Sequence, residues 1–156
     1  MRIVGLDYGA KRIGVAISDA SGTLARPLTT IRTGPRDAVD RVAALIGELG
    51  REEPAPTSVV VGLPLRLDGT PHEMTQRARA FGTELAARTG LQVQYQDERL
   101  SSREAEGRLA ERHRTWQRRK ALLDAASAAV ILQDYLDRTA AQRSGEGTPG
   151  QGASER

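Results

Sequence analysis

The sequence predicts an α/β domain built on a five-stranded mixed sheet with helices on both faces. Residues 2–31 contain three short apolar segments joined by turns that permit only antiparallel hairpins. The residues that follow alternate between helical and strand patterns, which is typical of right-handed crossovers into parallel strands. Three antiparallel strands followed by the order αβαβα therefore belong to one mixed sheet.

The composition is that of one small soluble domain. With 156 residues the chain can bury the core of one domain and is too short for two ordinary ones. It has neither a run of about 18 uncharged apolar residues nor a signal-peptide pattern, so we expect a cytoplasmic protein that does not enter a membrane. Cysteine is absent, which excludes disulfides, a disulfide-linked dimer and a cysteine nucleophile. Because there are only two histidines, any bound metal is expected to have oxygen ligands.

The first three segments are assigned as strands from their apolar residues. Residues 2–7, RIVGLD, form a nearly continuous apolar run of the kind found in a central strand. A second strand is predicted over residues 12–19 and a third over residues 23–31. Pro27 cannot donate a hydrogen bond within a sheet, so we expect the third strand to be bulged or to lie at the edge.

The middle of the chain reads as a helix, a strand and a second helix. The strand, over residues 57–65, is rich in valine and is expected to be fully buried. The second helix is predicted to begin at a capping box formed by Thr70 and Glu73, with Pro71 at its first position. Gly90 is predicted to end it.

The last elements complete the pattern of a ribonuclease H-like fold. A half-buried strand is predicted over residues 91–96, with its glutamines on one face, and a helix is predicted to begin near Ser101. A final helix over residues 120–137 is rich in alanine, which permits its axis to approach the sheet closely. The folded domain is expected to span residues 1–139, and residues 140–156, rich in glycine and poor in large apolar side chains, are predicted to form a disordered tail.

Acidic residues stand where apolar ones are expected. Asp7 ends the first strand, Asp97 and Glu98 end the last strand, and Asp124 lies in the first turns of the final helix, on the stripe that faces the sheet. Taken singly, each acid can be explained as a turn residue, a helix cap or a partner of the helix dipole. Neighbouring strand ends and the start of a helix packed on them would, however, bring three carboxylates together. A divalent cation would compensate their repulsion.

Oxygen ligands select hard cations, so the expected metal is Mg²⁺ or Mn²⁺. Two such ions about 4 Å apart can activate a water molecule and stabilise the leaving oxygen in phosphodiester cleavage. This chemistry requires neither histidine nor cysteine. The acidic residues therefore favour a metal-dependent nuclease.

Cations are concentrated close to these acids. The segment RLAERHRTWQRRK, residues 108–120, contains six cations against one acid. Such a local excess favours a polyanion as partner, although a solvated arginine-rich loop would give the same pattern. The residues predicted to contact nucleic-acid phosphates are Lys11, Arg12, Arg99, Arg114, Arg118, Arg119 and Lys120.

Four segments resemble, in order and spacing, the motifs of the YqgF family, also called RuvX, which are ribonuclease H-like proteins related to the RuvC Holliday-junction resolvases. The segments are GLDYGAKRIGVAISD, VVVGLPLRLDGT, DERLSSREAE and KALLDAASAAVIL, and the resemblance covers about residues 1–138. It implies a metal-dependent nuclease that matures the 5′ end of 16S ribosomal RNA, or one that resolves DNA junctions. It also implies catalytic and metal-binding roles for Asp7, Glu98 and Asp124.

The choice between the adjacent acids Asp97 and Glu98 depends on strand alternation. Only one of them can point to the active-site face. The family pattern favours Glu98. The strand pattern favours it too, because Glu98 is two residues after Gln96 and so falls on the polar face that carries the glutamines.

Other functions remain compatible with the sequence. Structured RNA, namely pre-16S rRNA, is the favoured substrate, and a four-way DNA junction is the alternative, for which a symmetric dimer is expected. Without a junction substrate the chain is expected to be a monomer or a weak homodimer. An Asp-x-Gly turn after a first strand also occurs in the ATP-binding actin and Hsp70 group, and a catalytically silent RNA-binding assembly factor would need only the basic segment.

Overall fold

The computed structural model describes residues 1–34, 36–65, 68–97 and 116–153. Within these ranges the chain forms one five-stranded sheet with helices on both faces, as predicted. The strands lie in the order β3-β2-β1-β4-β5. Their bounds are β1 Arg2–Tyr8, β2 Arg12–Ser18, β3 Ala25–Arg32, β4 Pro56–Leu63 and β5 Gln92–Asp97.

The first strand is central, and its neighbours run in opposite directions. β1 pairs with β2 in antiparallel orientation and with β4 in parallel orientation. β5 adds in parallel to β4, and β3 forms the other edge. The pairing of β2 with β3 shifts register between Val15 and Ala16, where Pro27 lies opposite Ala16. The predicted effect of Pro27 on an edge strand is thus confirmed.

The helices α1 Ala38–Leu49 and α2 Glu73–Thr89 cover one face of the sheet, and α3 Trp116–Ala153 covers the other. Strand residues divide between the two faces by alternation. In β1, Val4 and Leu6 pack in the core under α1 and α2, while Ile3 packs against α3. A Cβ placed on Gly5 would lie 2.7 Å from the Cβ of Leu132, so α3 lies very close to the sheet.

The predicted cap of α2 was wrong by two residues. The N-cap is His72, whose side chain and that of Thr75 form the reciprocal capping box, and the helix begins at Glu73. Pro71 lies in an isolated β-bridge and therefore has an extended rather than a helical backbone. The Thr70 hydroxyl bonds to a neighbouring aspartate instead of capping the helix. The helix end, by contrast, is confirmed, because α2 ends at the residue before Gly90, which has a left-handed backbone with φ of 73°.

Helix α3 is longer than the predicted final helix. It begins at Trp116 and continues to Ala153, past residue 139, where we predicted the folded domain to end. The last buried side chain among its described residues is Leu136. The disorder of residues 140–156 stays a prediction, and the helix predicted from Ser101 lies outside the described residues. None of the helices in the described ranges is long and apolar enough to cross a membrane.

Candidate active site

Asp7 lies near the carboxyl end of the central strand, on the face covered by α3. Side chains two residues apart in a strand share a face, so Asp7 lies on the same face as Ile3 and Gly5, both of which contact this helix. The Asp7 side chain is half-buried. Its partner in the neighbouring strand is Gly14 of β2. The apolar run of β1 predicts a central strand, and the structure confirms this position for the strand that carries Asp7.

Gly14 lies against the part of α3 that carries Asp124, about two turns from the first residue of the helix. A Cβ on Gly14 would collide with the main-chain carbonyl of Asp124, because the separation is far inside the 3.0 Å that real Cβ atoms keep. The helix therefore contacts the backbone of β2 directly. Asp124 is half-buried, and the next residue, Ala125, is buried. As predicted from its alanines, α3 packs closely enough to bring Asp124 beside the strand pair that carries Asp7.

Arg12 completes this arrangement. Its Nε donates to Oδ2 of Asp124 at 2.7 Å, across 112 residues of sequence. The exposed fractions of the two side chains are 28% and 23%, so the pair is largely shielded from solvent. We predicted Arg12 as a phosphate contact and Asp124 as a metal ligand, but not their pairing. Spacing in β2 indicates only that Arg12 shares a face with Gly14, the face that α3 covers, and does not identify its partner.

The two faces of β5 separate Asp97 from the site. Gln94 and Gln96 lie on the α3 face, where their side chains accept hydrogen bonds from Tyr135 and Arg138 of that helix. Tyr95 and Val93 pack against the opposite core. Asp97 is two residues from Tyr95 and therefore falls on the same face of the strand. Its partner in β4 is Leu63, which belongs to that same core. It therefore lies on the face away from Asp7.

Several predicted site residues cannot be placed by the structure. Glu98, Arg99 and Arg114 lie outside the described residues. For Arg118, Arg119 and Lys120 the described part is the helical backbone in the first turns of α3. Lys11 is exposed beside Arg12 at the start of β2. No group of three acidic or histidine side chains able to hold a metal ion occurs among the residues that the structure describes.

The donor set fits a hard divalent cation. Asp7 and Asp124 supply carboxylate oxygens, the ligands that Mg²⁺ and Mn²⁺ prefer. Both are half-buried, and a half-buried carboxylate needs a compensating cation or hydrogen bond. At Asp124 that compensation is visible as the Arg12 guanidinium. The arrangement can thus attract positive charge beside the exposed side chain of Lys11.

Comparison with known proteins agrees with this geometry. Residues 1–138 match the family RuvX, described as Holliday junction resolvase. A Burkholderia ambifaria protein named "Putative pre-16S rRNA nuclease" is 50% identical over 135 residues, covering 86% of this chain and 88% of that protein. A Dechloromonas aromatica protein of the same name is 47% identical over 135 residues, covering 86% of this chain and 90% of its own length.

Among solved structures, the chain is similar to a T. thermophilus RuvC in complex with a Holliday junction substrate. The TM-score is 0.51, with 19% sequence identity, and the match covers 85% of this chain and 91% of the other. At this identity the similarity shows the fold, which is ribonuclease H-like, and nothing about the substrate. The predicted fold class is confirmed.

Proposed function

Because the chain belongs to the RuvX family, we propose that it is a nuclease that hydrolyses phosphodiester bonds of pre-16S rRNA. The observation that carries the proposal is the identity of 50% over 135 residues to a protein named "Putative pre-16S rRNA nuclease", together with the approach of Asp124 to the strand pair of Asp7. The substrate would be met in the cytoplasm, where ribosomes are assembled.

We further propose that Asp7, Glu98 and Asp124 hold Mg²⁺ or Mn²⁺ in the active protein. Bound there, such an ion would supply Lewis-acid chemistry for attack of water on the scissile phosphate. In support of this, Asp7 is the strand partner of Gly14, and the main chain of Asp124 lies directly against Gly14. Asp97 lies on the other face of the sheet, which leaves Glu98 as the acid of this pair that we assign to the site.

Cations near the two carboxylates would position the nucleic acid. Lys120 and Arg118 precede Asp124 by four and six residues on α3, which corresponds to about 6 and 9 Å along a helix axis. Lys11 is exposed at the start of β2, beside Arg12. We assign phosphate contacts to seven cationic residues, namely Lys11, Arg12, Arg99, Arg114, Arg118, Arg119 and Lys120. Such contacts position a backbone and carry little sequence information.

The four-way DNA junction is the second candidate substrate. It is favoured by the description of the RuvX family, while the similarity in fold to RuvC bears only on architecture. Resolution of a junction needs two coordinated cuts and hence a symmetric dimer. For RNA processing we propose a monomer or a weak homodimer. The solution mass with and without a junction would separate these states.

One experiment tests both chemistry and substrate. The purified protein is incubated with labelled precursor rRNA and, separately, with a labelled four-way junction, each with Mg²⁺, Mn²⁺ or a chelator. We expect cleavage of the RNA with either metal and none with the chelator. Cleavage of the junction alone would replace the substrate, and cleavage that persists with the chelator would contradict the metal-dependent mechanism.

A further inference from the structure

We propose that Arg12 is the internal counter-cation of the metal site, which neutralises Asp124 in the metal-free protein and releases it when a divalent cation binds. The inference rests on the proposed function, since it takes Asp124 as a metal ligand. It adds a second role to Arg12, which we had assigned only to phosphate. Arg12 would pair with Asp124 in the metal-free protein and contact phosphate after the metal has bound, so the two roles do not compete.

The strength of the contact supports the first role. The 2.7 Å between Arg12 Nε and Asp124 Oδ2 is at the short end for a charge-assisted hydrogen bond. Both side chains are about three-quarters shielded, with exposed fractions of 28% and 23%. At this burial an uncompensated carboxylate is poorly hydrated, so the metal-free protein needs a cation beside Asp124.

The same contact makes Arg12 a competitor of the metal. Oδ2 of Asp124 accepts the guanidinium N–H and is therefore engaged before any ion arrives. A divalent cation on this carboxylate would place two further positive charges within a few ångströms of the guanidinium. Their repulsion favours separation of Arg12 from Asp124.

The position of Arg12 in the fold indicates where the released side chain would go. It is the first residue of β2, directly after the exposed Lys11. A guanidinium presents several N–H donors in a planar fork that suits phosphate. Loading of the site with metal would thus convert Arg12 from a partner of Asp124 into a hydrogen-bond donor to a phosphate beside the site.

Lys11 offers a matched control. Lys11→Gln and Arg12→Gln remove the same formal charge from adjacent positions, but only Arg12 contacts Asp124. Arg12→Lys keeps the charge and lacks the guanidinium. Long-range electrostatics change equally in the two glutamine variants, so a difference between them reports the contact.

The test is titration of Mn²⁺ into the wild type and the three variants by calorimetry, with circular dichroism to confirm folding. We expect Arg12→Gln to bind Mn²⁺ about 1.5- to fivefold more tightly than Lys11→Gln, the range given by loss of a partly exposed ion pair. Arg12→Lys should lie between Arg12→Gln and the wild type. Equal affinities of the two glutamine variants, or weaker binding by Arg12→Gln, would overturn the inference and leave the nuclease proposal standing. Absence of Mn²⁺ binding in every protein would overturn both.

A second measurement follows the Arg12 side chain of the wild type by nuclear magnetic resonance. The Arg12 Nε–H resonance of the metal-free wild type, assigned by its loss in Arg12→Lys, should exchange slowly with water because it is bonded to Asp124. Saturation with Mg²⁺ should shift this resonance and accelerate its exchange. An unchanged resonance in protein that calorimetry shows to be loaded would refute the displacement.

Discussion

Gly14 lies directly against the main-chain carbonyl of Asp124, so that helix α3 contacts the backbone of β2 with no side chain between them. Gly14 is also the strand partner of Asp7. One glycine thus lies beside the backbone of both acidic residues, Asp7 in the neighbouring strand and Asp124 in the helix packed on it. The spacing of the proposed site depends on this absence of a Cβ atom.

Gly14→Ala is expected to destabilise the protein and to abolish cleavage. The added methyl group must displace either α3 or β2, because its neighbour is main chain and cannot rotate away. Overpacking of this kind costs about 1–3 kcal/mol or more of unfolding free energy. Urea denaturation and a cleavage assay with metal measure the two effects.

Gly47→Ala is the control for this substitution. Gly47 is an exposed residue within α1, and a Cβ there meets no heavy atom within 4 Å. Alanine is expected to raise the unfolding free energy by about 0.5–1 kcal/mol through its better helix propensity. If both alanine variants had the same stability, the close contact at Gly14 would have no energetic weight.

Asp7→Asn is expected to remove cleavage without unfolding the protein. The substitution keeps the size of the side chain, relieves repulsion between carboxylates and removes the charge of a proposed metal ligand. Asp97→Asn serves as the comparison, because Asp97 lies on the opposite face of the sheet, and this variant should still cleave. Cleavage by both proteins in the presence of Mn²⁺ would contradict the assigned site. If Asp7→Asn still supported ribosome maturation in cells, a non-catalytic assembly role would be favoured.

Charge reversal at Arg118 and Arg119 is expected to weaken RNA binding and flatten its salt dependence. Each lost phosphate contact lowers the slope of log affinity against log salt by about 0.7–0.9, so the double variant should lose about 1–2. Reversal of Arg41 and Arg88 changes the net charge equally on the far face of the sheet and should leave the slope intact. An identical slope in both double variants would assign residues 118–119 to a solvated surface.

Truncation after residue 139 is expected to leave the melting temperature unchanged. The described side chains of residues 140–144 are exposed, and Leu136 is the last buried one. Truncation after residue 134, which also removes the buried Tyr135, should lower the melting temperature by several degrees because it opens the core under α3. A large loss from the shorter deletion would show that the tail contributes to the fold.

The carboxylate of Asp19 is expected to make stability depend on pH. The backbone N–H of Thr23, and then that of Leu24, hold the pKa of Asp19 below its ordinary value of 3.8. A pKa lower in the folded than in the unfolded protein gives a stabilisation that is present above pH 3.8 and lost as the pH falls through the folded pKa. The wild type should therefore melt above Asp19→Asn at neutral pH. The difference should shrink on acidification, and a constant difference would show that charge is not its cause.

Local patterns were sufficient for the sheet and for the orientation of single residues. The apolar run around Asp7 and the helical stripe of Asp124 each placed a carboxylate toward a sheet that the chain does build. The glutamines of β5 lie on the face of Asp7, as alternation predicted. These features depend on neighbours a few residues away, which a sequence displays directly.

Contacts between distant elements were the part that could not be predicted. The pairing of Arg12 with Asp124 requires knowledge of how far along β2 the helix lies, and no local pattern contains that distance. The cap of α2 failed for a similar reason. Pro71 is held in a β-bridge to Leu65, so the helix begins only at Glu73. Its N-cap is His72, a residue outside the group that is strongly preferred at this position.

The docking of α3 has a consequence for the order in which the protein is made. Ile3, Ala16 and Val60 pack in one core cluster with residues of this helix, and Arg12 pairs with a carboxylate 112 residues further along the chain. All five strands are therefore translated before the segment that covers this apolar face. Contacts over such separations also form slowly. A chain with this fold therefore lacks its proposed catalytic site until the segment that carries Asp124 has been synthesised.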